Sequence, residues 1–101
     1  MFIYNVTIKP LWEINDAWVK WMKEKHLSDV MATGCFTKYQ FVKLLEIDEE
    51  EGPTYAIQYY CESKGMYNLY IEKFAPKLRQ DGFNLFGNKF IAFRSIMQIV
   101  D

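Results

Sequence analysis

Cysteine is scarce in this chain: only Cys35 and Cys61 occur among 101 residues, and they form no Cys-x-x-Cys spacing. A zinc ribbon and a thioredoxin-type redox motif are therefore excluded on ligand count. Histidine is scarcer still, since His26 stands alone, and the expectation is no metal and no cofactor. With 5 glycines and 3 prolines the chain has no glycine-rich phosphate loop, so Walker, Rossmann and nucleophile-elbow motifs are absent. Neither sign of charge dominates, because 12 basic residues face 13 acidic ones for a net charge of -1. A surface that grips duplex nucleic acid by counterion release is not expected. No apolar run approaches the length of roughly 18 residues or more that a membrane span needs, and Met1 to Pro10 lacks a basic leader and a small-residue cleavage site. The expectation is a cytoplasmic protein without a membrane partner.

What the chain does have is oil: 50% of it is hydrophobic and 18% aromatic. That is enough for one packed core without a metal or disulfide staple, and the length suits a single domain over residues 1–101. Phe2, Tyr4, Val6 and Ile8 alternate with Ile3, Asn5, Thr7 and Lys9, the pattern of a strand with one apolar side. From Leu11 the period becomes helical through Ile14, Trp18, Trp21, Met22 and Lys25, which predicts a helix from about Trp12 to Lys25. His26 to Thr33 reads as a second short turn capped by Ser28 or Asp29 and stopped by Gly34.

Cys35 to Asp48 and Thr54 to Glu62 read as two strands of a hairpin around the acidic tip Glu49-Glu50-Glu51-Gly52-Pro53. If Asp48 faces Thr54, Cys61 faces Phe41, which keeps the thiols on the order of 20 Å apart and both reduced. Ser63 opens a helix whose buried side carries Met66, Tyr67, Tyr70, Ile71, Phe74 and Leu78, with Pro76 kinking or restarting it and Gly82 marking a turn. Lys89 to Val100 is the last strand. The order βαββαβ defines an α+β, ferredoxin-like fold: a four-stranded antiparallel sheet with two helices on one face.

Helices over the face of Phe2, Tyr4, Val6 and Ile8 would also cover Tyr55, Ile57, Tyr59 and Cys61, and the expectation extends this to Ile91, Phe93, Met97 and Ile99. The other face would then carry Ile3, Ala56, Tyr60, Phe90, Ala92, Ile96 and Val100 beside Asn5, Thr7, Gln58, Arg94 and Gln98. So apolar a face calls for a partner, and the economical one is a second copy packed sheet to sheet into an eight-stranded barrel. A monomer with an aromatic but solvated face is the alternative.

The run Trp18-x-x-Trp21-Met22-x-x-x-His26, continued by Asp29-Val30-Met31-Ala32-Thr33-Gly34-Cys35-Phe36, resembles a small family of uncharacterised bacterial proteins. That family is a domain of unknown function similar to the dimeric α/β barrel group of ferredoxin-like proteins, and the likeness spans the chain. The resemblance implies a fold and a homodimer but no reaction. The wider group includes cofactor-independent monooxygenases, haem-binding and haem-degrading proteins, isomerases and stress-response barrels, so fold does not choose among them. The sole histidine, at the end of the first helix, departs from the haem-type pattern, whose iron ligand comes from the second half of the domain.

Three features could carry chemistry. His26 is the one group that titrates near neutrality and is the best candidate for a proton-transfer residue, with Asp29 one turn on, although a helix-end capping contact explains the same spacing. Arg94, mid-strand among apolar residues, needs a partner: a carboxylate across the dimer, or an anionic ligand bound with Asn5 and Gln98. Trp18 and Trp21 fit the core stripe, and would equally form an aromatic wall for a flat substrate. An RNA-recognition module is excluded because Tyr55-Ala56-Ile57-Gln58-Tyr59-Tyr60 has neither glycine nor basic residue, and an acylphosphatase-type site because Ile8 to Glu13 has neither Gly nor Arg. Two functions stay open: a small homodimeric barrel protein that binds a small apolar or anionic ligand, and a cofactor-independent monooxygenase or isomerase. Whether the chain is an enzyme is undecided at this level.

Overall fold

A computed structural model describes residues 1–101. Strand β1 (Phe2–Pro10) is followed by helix α1 (Trp12–Trp21), a π-helical turn (Met22–His26) and helix α2 (Leu27–Ala32). Strands β2 (Lys38–Lys43) and β3 (Tyr55–Cys61), helices α3 (Lys64–Lys73) and α4 (Ala75–Phe86), and strand β4 (Phe90–Gln98) complete the chain. The sheet order is β2-β3-β1-β4 and every neighbouring pair is antiparallel, which is the ferredoxin-like topology.

Local signals explain most boundaries. Gly34, at φ 77°, ends the first helical run in a conformation that favours glycine. Ser63 caps α3, its Oγ accepting a hydrogen bond from the Met66 amide at 3.2 Å. Pro76 restarts the second run as α4 after the break at Phe74. The expected division of the first run at His26 does not occur: Ser28 and Asp29 lie inside α2 and cap nothing, and one continuous helical rod reaches Ala32. Nor does Gly82 form a turn. It lies buried within α4, where a Cβ would stand 3.2 Å from the Trp21 ring, so its bare backbone makes room for the indole.

The core lies between the helices and one face of the sheet. Tyr4, Val6 and Ile8 from β1 and Ile57, Tyr59 and Cys61 from β3 pack there with Trp18, Met22, Leu27, Val30, Tyr70 and Leu78. Aromatic rings fill its centre, with Tyr4 stacked on Phe36 and Tyr59 at centroid distances of 6.1 and 6.0 Å. Lys25, read as part of the apolar stripe, is exposed.

Two register expectations are corrected. Lys43 pairs with Tyr55 and Phe41 with Ile57, so Cys61 continues opposite Thr37 and not Phe41. The wide separation expected of the thiols therefore falls away, although both are free and buried. In β4, Arg94 pairs with Val6, Ala92 with Ile8 and Ile96 with Tyr4, which turns Phe90, Ala92, Arg94, Ile96 and Gln98 toward the helices. Ile91, Phe93, Ser95 and Met97 occupy the open face instead, the reverse of the expected assignment.

The open face is consequently more apolar than expected. Phe93 is 68% and Ile91 57% exposed. Beside them on the same face lie Ile3, Ala56, Tyr60 and Val42, around a polar centre in which Asn5 donates to the Thr7 hydroxyl at 3.0 Å.

Candidate functional site

The π-helical turn sets the geometry of the site. The Leu27 amide returns to the Met22 carbonyl, five residues back, which widens the rod by a residue just before α2 begins. On a regular α-helix side chains three or four apart are neighbours. Here Trp21 and His26, five apart, stack with ring centroids 4.6 Å from each other and planes 27° apart. The Phe86 ring closes on the indole from α4 at 5.7 Å.

Beneath this pair lies a chamber between the sheet and the helices, with a cavity volume of about 60 Å³. Its floor is Tyr4, Val6 and Ile8 of β1 with Ile57 and Tyr59 of β3, and its walls are Trp18, Trp21, Met22, His26, Tyr70, Leu78 and Phe90. Gly82 and two arginines, Arg79 from α4 and Arg94 from β4, complete the lining. The indole Nε1 of Trp21 and the Nδ1 of His26 are both buried without a hydrogen-bond partner. Buried polar atoms are rarely left so, which makes the pair an exception that calls for a reason.

Burial sets the charge state of His26, pushing its pKa down from the ordinary imidazole range to about 4. Asp29 and Asp81 act in the opposite direction, while Lys25 and Arg94 add to the lowering. The ring is therefore neutral at pH 7 and offers one N–H and one lone pair. Asp29 does not orient it, because its carboxylate accepts from Lys25 Nζ at 2.8 Å. Burial likewise pushes the phenols of Tyr59 and Tyr70 upward, which keeps them neutral hydroxyls. No group of three or more His, Cys, Asp or Glu side chains is placed to hold a metal ion.

Of the residues singled out from sequence, His26, Trp18, Trp21 and Arg94 line this one chamber. Asn5 does not: it pairs across the sheet with Gln58 and Ser95 on the open face. Gln98 shares the helix side with Arg94 but pairs with Phe2 at the far end of β1 and does not reach the lining. The expected cluster of Arg94, Asn5 and Gln98 is thus divided by the sheet, and no carboxylate meets Arg94 through the open face; the partner expected for a buried guanidinium is not needed, because Arg94 is exposed and water can solvate it. Arg79 escaped sequence reading, as it looks like any solvated helix cation. Its one signal is the spacing to Gly82, which puts guanidinium and bare backbone on one side of α4. In the fold it donates to the Tyr4 hydroxyl at 3.1 Å.

A ferredoxin-like sheet with a helix-roofed chamber defines a class of fold, not an activity. Within that class, residues 1–100 match the family profile of DUF4286, a domain of unknown function, and the chain belongs to that family. No curated protein matches it. Among solved structures it is similar to an ethyl tert-butyl ether d (ethd) family protein from Bacillus halodurans c-125, at 10% identity and TM-score 0.70, covering 99% of this chain and 100% of that one. It is also similar to two dimeric ferredoxin-like proteins from uncultured marine organisms. One shows 15% identity and TM-score 0.67 over 100% of this chain and 96% of that one. The other shows 11% identity and TM-score 0.65 over 99% and 96%. Similarity at these identities establishes the shared fold. No helix is long and apolar enough to cross a membrane.

Proposed function

We propose that the protein is a homodimer, paired through its open sheet faces, that binds a small molecule in the chamber under Trp21 and His26. The observation that carries the binding role is the pair of buried, unpartnered nitrogens, Trp21 Nε1 and His26 Nδ1, on two residues that line the largely apolar chamber. Leaving such groups unsatisfied costs about 1–3 kcal/mol each, a penalty that a bound polar group removes. The chamber's size argues for a modest ligand. Pockets that enclose a whole drug-sized substrate measure about 300 Å³ or more, so a cavity of about 60 Å³ suits one end of a molecule whose remainder lies at the mouth. This gives the monooxygenase or isomerase alternative less support than simple binding.

The pairing rests on Ile91, Phe93 and Met97, which stand exposed in a row on β4. A contiguous apolar patch of this kind is characteristic of an interaction surface, and the similar marine proteins bear the description dimeric. The wild-type chain is expected to sediment at twice 12.1 kDa. Phe93→Glu, which buries a charge at the proposed seam, is expected to weaken association at least a hundredfold and to leave a folded monomer. A wild-type chain that sediments as a monomer at micromolar concentration contradicts the pairing.

For the chamber, the direct observable is the indole N–H signal of Trp21 in two-dimensional NMR, assigned by its loss in Trp21→Phe. A screen of small polar fragments should shift that signal selectively among the 3 tryptophans. If no fragment moves it, the binding role is wrong.

A further inference from the structure

We propose that the chamber receives the carboxylate end of a monoanionic ligand, held by the guanidinium groups of Arg79 and Arg94 and by the Trp21 indole N–H. This rests on the chamber being a binding site and goes on to name what binds.

Its charged lining is entirely cationic: two arginines and no carboxylate. Neither arginine belongs to an ion pair, whereas the two acidic groups that act on His26 are engaged elsewhere, Asp29 with Lys25 at 2.8 Å and Asp81 with Lys77 at 3.3 Å. Arg79 spends one nitrogen on the Tyr4 hydroxyl. Arg94, which pairs with Val6 on the helix side of the sheet, makes no side-chain hydrogen bond, and both arginines are exposed at the chamber's edge. A guanidinium has five N–H donors, and of the ten on this pair the protein engages only the one on Tyr4, so the others are free to turn from solvent to an anionic ligand.

Two features narrow the acceptor to a carboxylate. Arginine presents paired, coplanar N–H groups that match two carboxylate oxygens. The cavity is small, about 60 Å³, which favours the flat three-atom end of a carboxylate over a bulkier tetrahedral phosphate. An intact aromatic ring does not fit either, since a dry cavity that takes benzene measures about 150 Å³. The rest of the ligand must therefore extend out of the chamber.

The test titrates unmodified protein at constant ionic strength with propanoate, with its neutral isostere propanamide, and with methyl phosphate, following the Trp21 indole signal. Propanoate is expected to bind at least tenfold more tightly than either of the others, and Arg94→Met, which keeps the apolar stem, is expected to abolish that preference. Propanamide binding as well as propanoate overturns the carboxylate assignment and leaves the chamber a binding site. Tighter binding of methyl phosphate overturns it in favour of a phosphate ligand. If none of the three moves the indole signal, the carboxylate assignment is overturned, and an unresponsive wider fragment screen then removes the binding role as well.

Discussion

Replacing Trp18 by alanine is expected to remove about 4 kcal/mol of folding stability, the largest loss from any single substitution considered in this chain. The side chain is 1% exposed. Its ring lies 5.8 Å from Phe41 in an edge contact and 5.1 Å from Tyr55, so it joins α1 to both strands of the hairpin. Truncation forfeits the transfer energy of the indole and leaves a void that this ring-on-ring packing cannot close. A domain of this size has about 5–15 kcal/mol in total, and a loss of this order lowers the melting temperature by about 20 °C. Urea denaturation at fixed protein concentration measures it, with the concentration held because association adds its own stability. A loss under about 1 kcal/mol would show that the indole does not hold helix and sheet together. Trp21→Ala is expected to be much milder, because that ring is only partly buried and its nitrogen has no partner to lose.

The contrast between these two tryptophans shows what the sequence exposed and what it concealed. Trp18 fits a helical period of 3.6 with Ile14 and Met22, and β1 alternates cleanly, so the element order and most of the core facing the helices were legible. Strand β4 was not, because it is apolar on both sides: Ile91, Phe93 and Met97 oppose Phe90, Ala92 and Ile96. With no polar face the alternation carries no direction, and only pairing with β1 fixes it. One inverted strand moved Arg94 from the open face to the chamber and Phe93 the other way, which puts the chamber lining and the exposed apolar row on opposite faces of the sheet.

The chamber itself was half legible. The segment from Trp18 to His26 attracted attention through its residue types, but nothing in helical periodicity announces a π-helical turn, and without it His26 and Trp21 would not stack. Arg79 was invisible because its role arises from a hydrogen bond to Tyr4, far away in sequence. The hairpin register failed for a related reason. Residues 44–54 form an irregular loop, with Glu46 at φ 59° and the Trp12 indole donating to the Glu49 carbonyl at 2.7 Å. The strands therefore stop short of the acidic tip, and counting outward from it misplaces every pair.

Acid is expected to destabilise the protein through His26 well before its carboxylates protonate. In the folded state the imidazole pKa lies at about 4, held down by burial against the opposing pull of Asp29 and Asp81; in the unfolded chain it returns to about 6.5. The unfolded state therefore binds the proton first as pH falls, and stability decreases from about pH 6.5 with a slope of up to about 1.4 kcal/mol per pH unit. The decrease levels off near pH 4, once the folded state also takes up the proton, at a total of about 3 kcal/mol. Above pH 6.5 the ring is neutral in both states and contributes no slope. His26→Phe keeps an aromatic ring against Trp21 and removes the titration. The difference in unfolding free energy between wild type and this variant should therefore shift by about 3 kcal/mol between pH 7 and pH 4 in favour of the variant, whatever its absolute stability, because the carboxylates common to both cancel. A difference that is flat across this range would mean that the imidazole reaches water and protonates freely in the folded protein. The indole beside it would then also be hydrated, and the unpartnered nitrogens would no longer distinguish the chamber from an ordinary surface cleft.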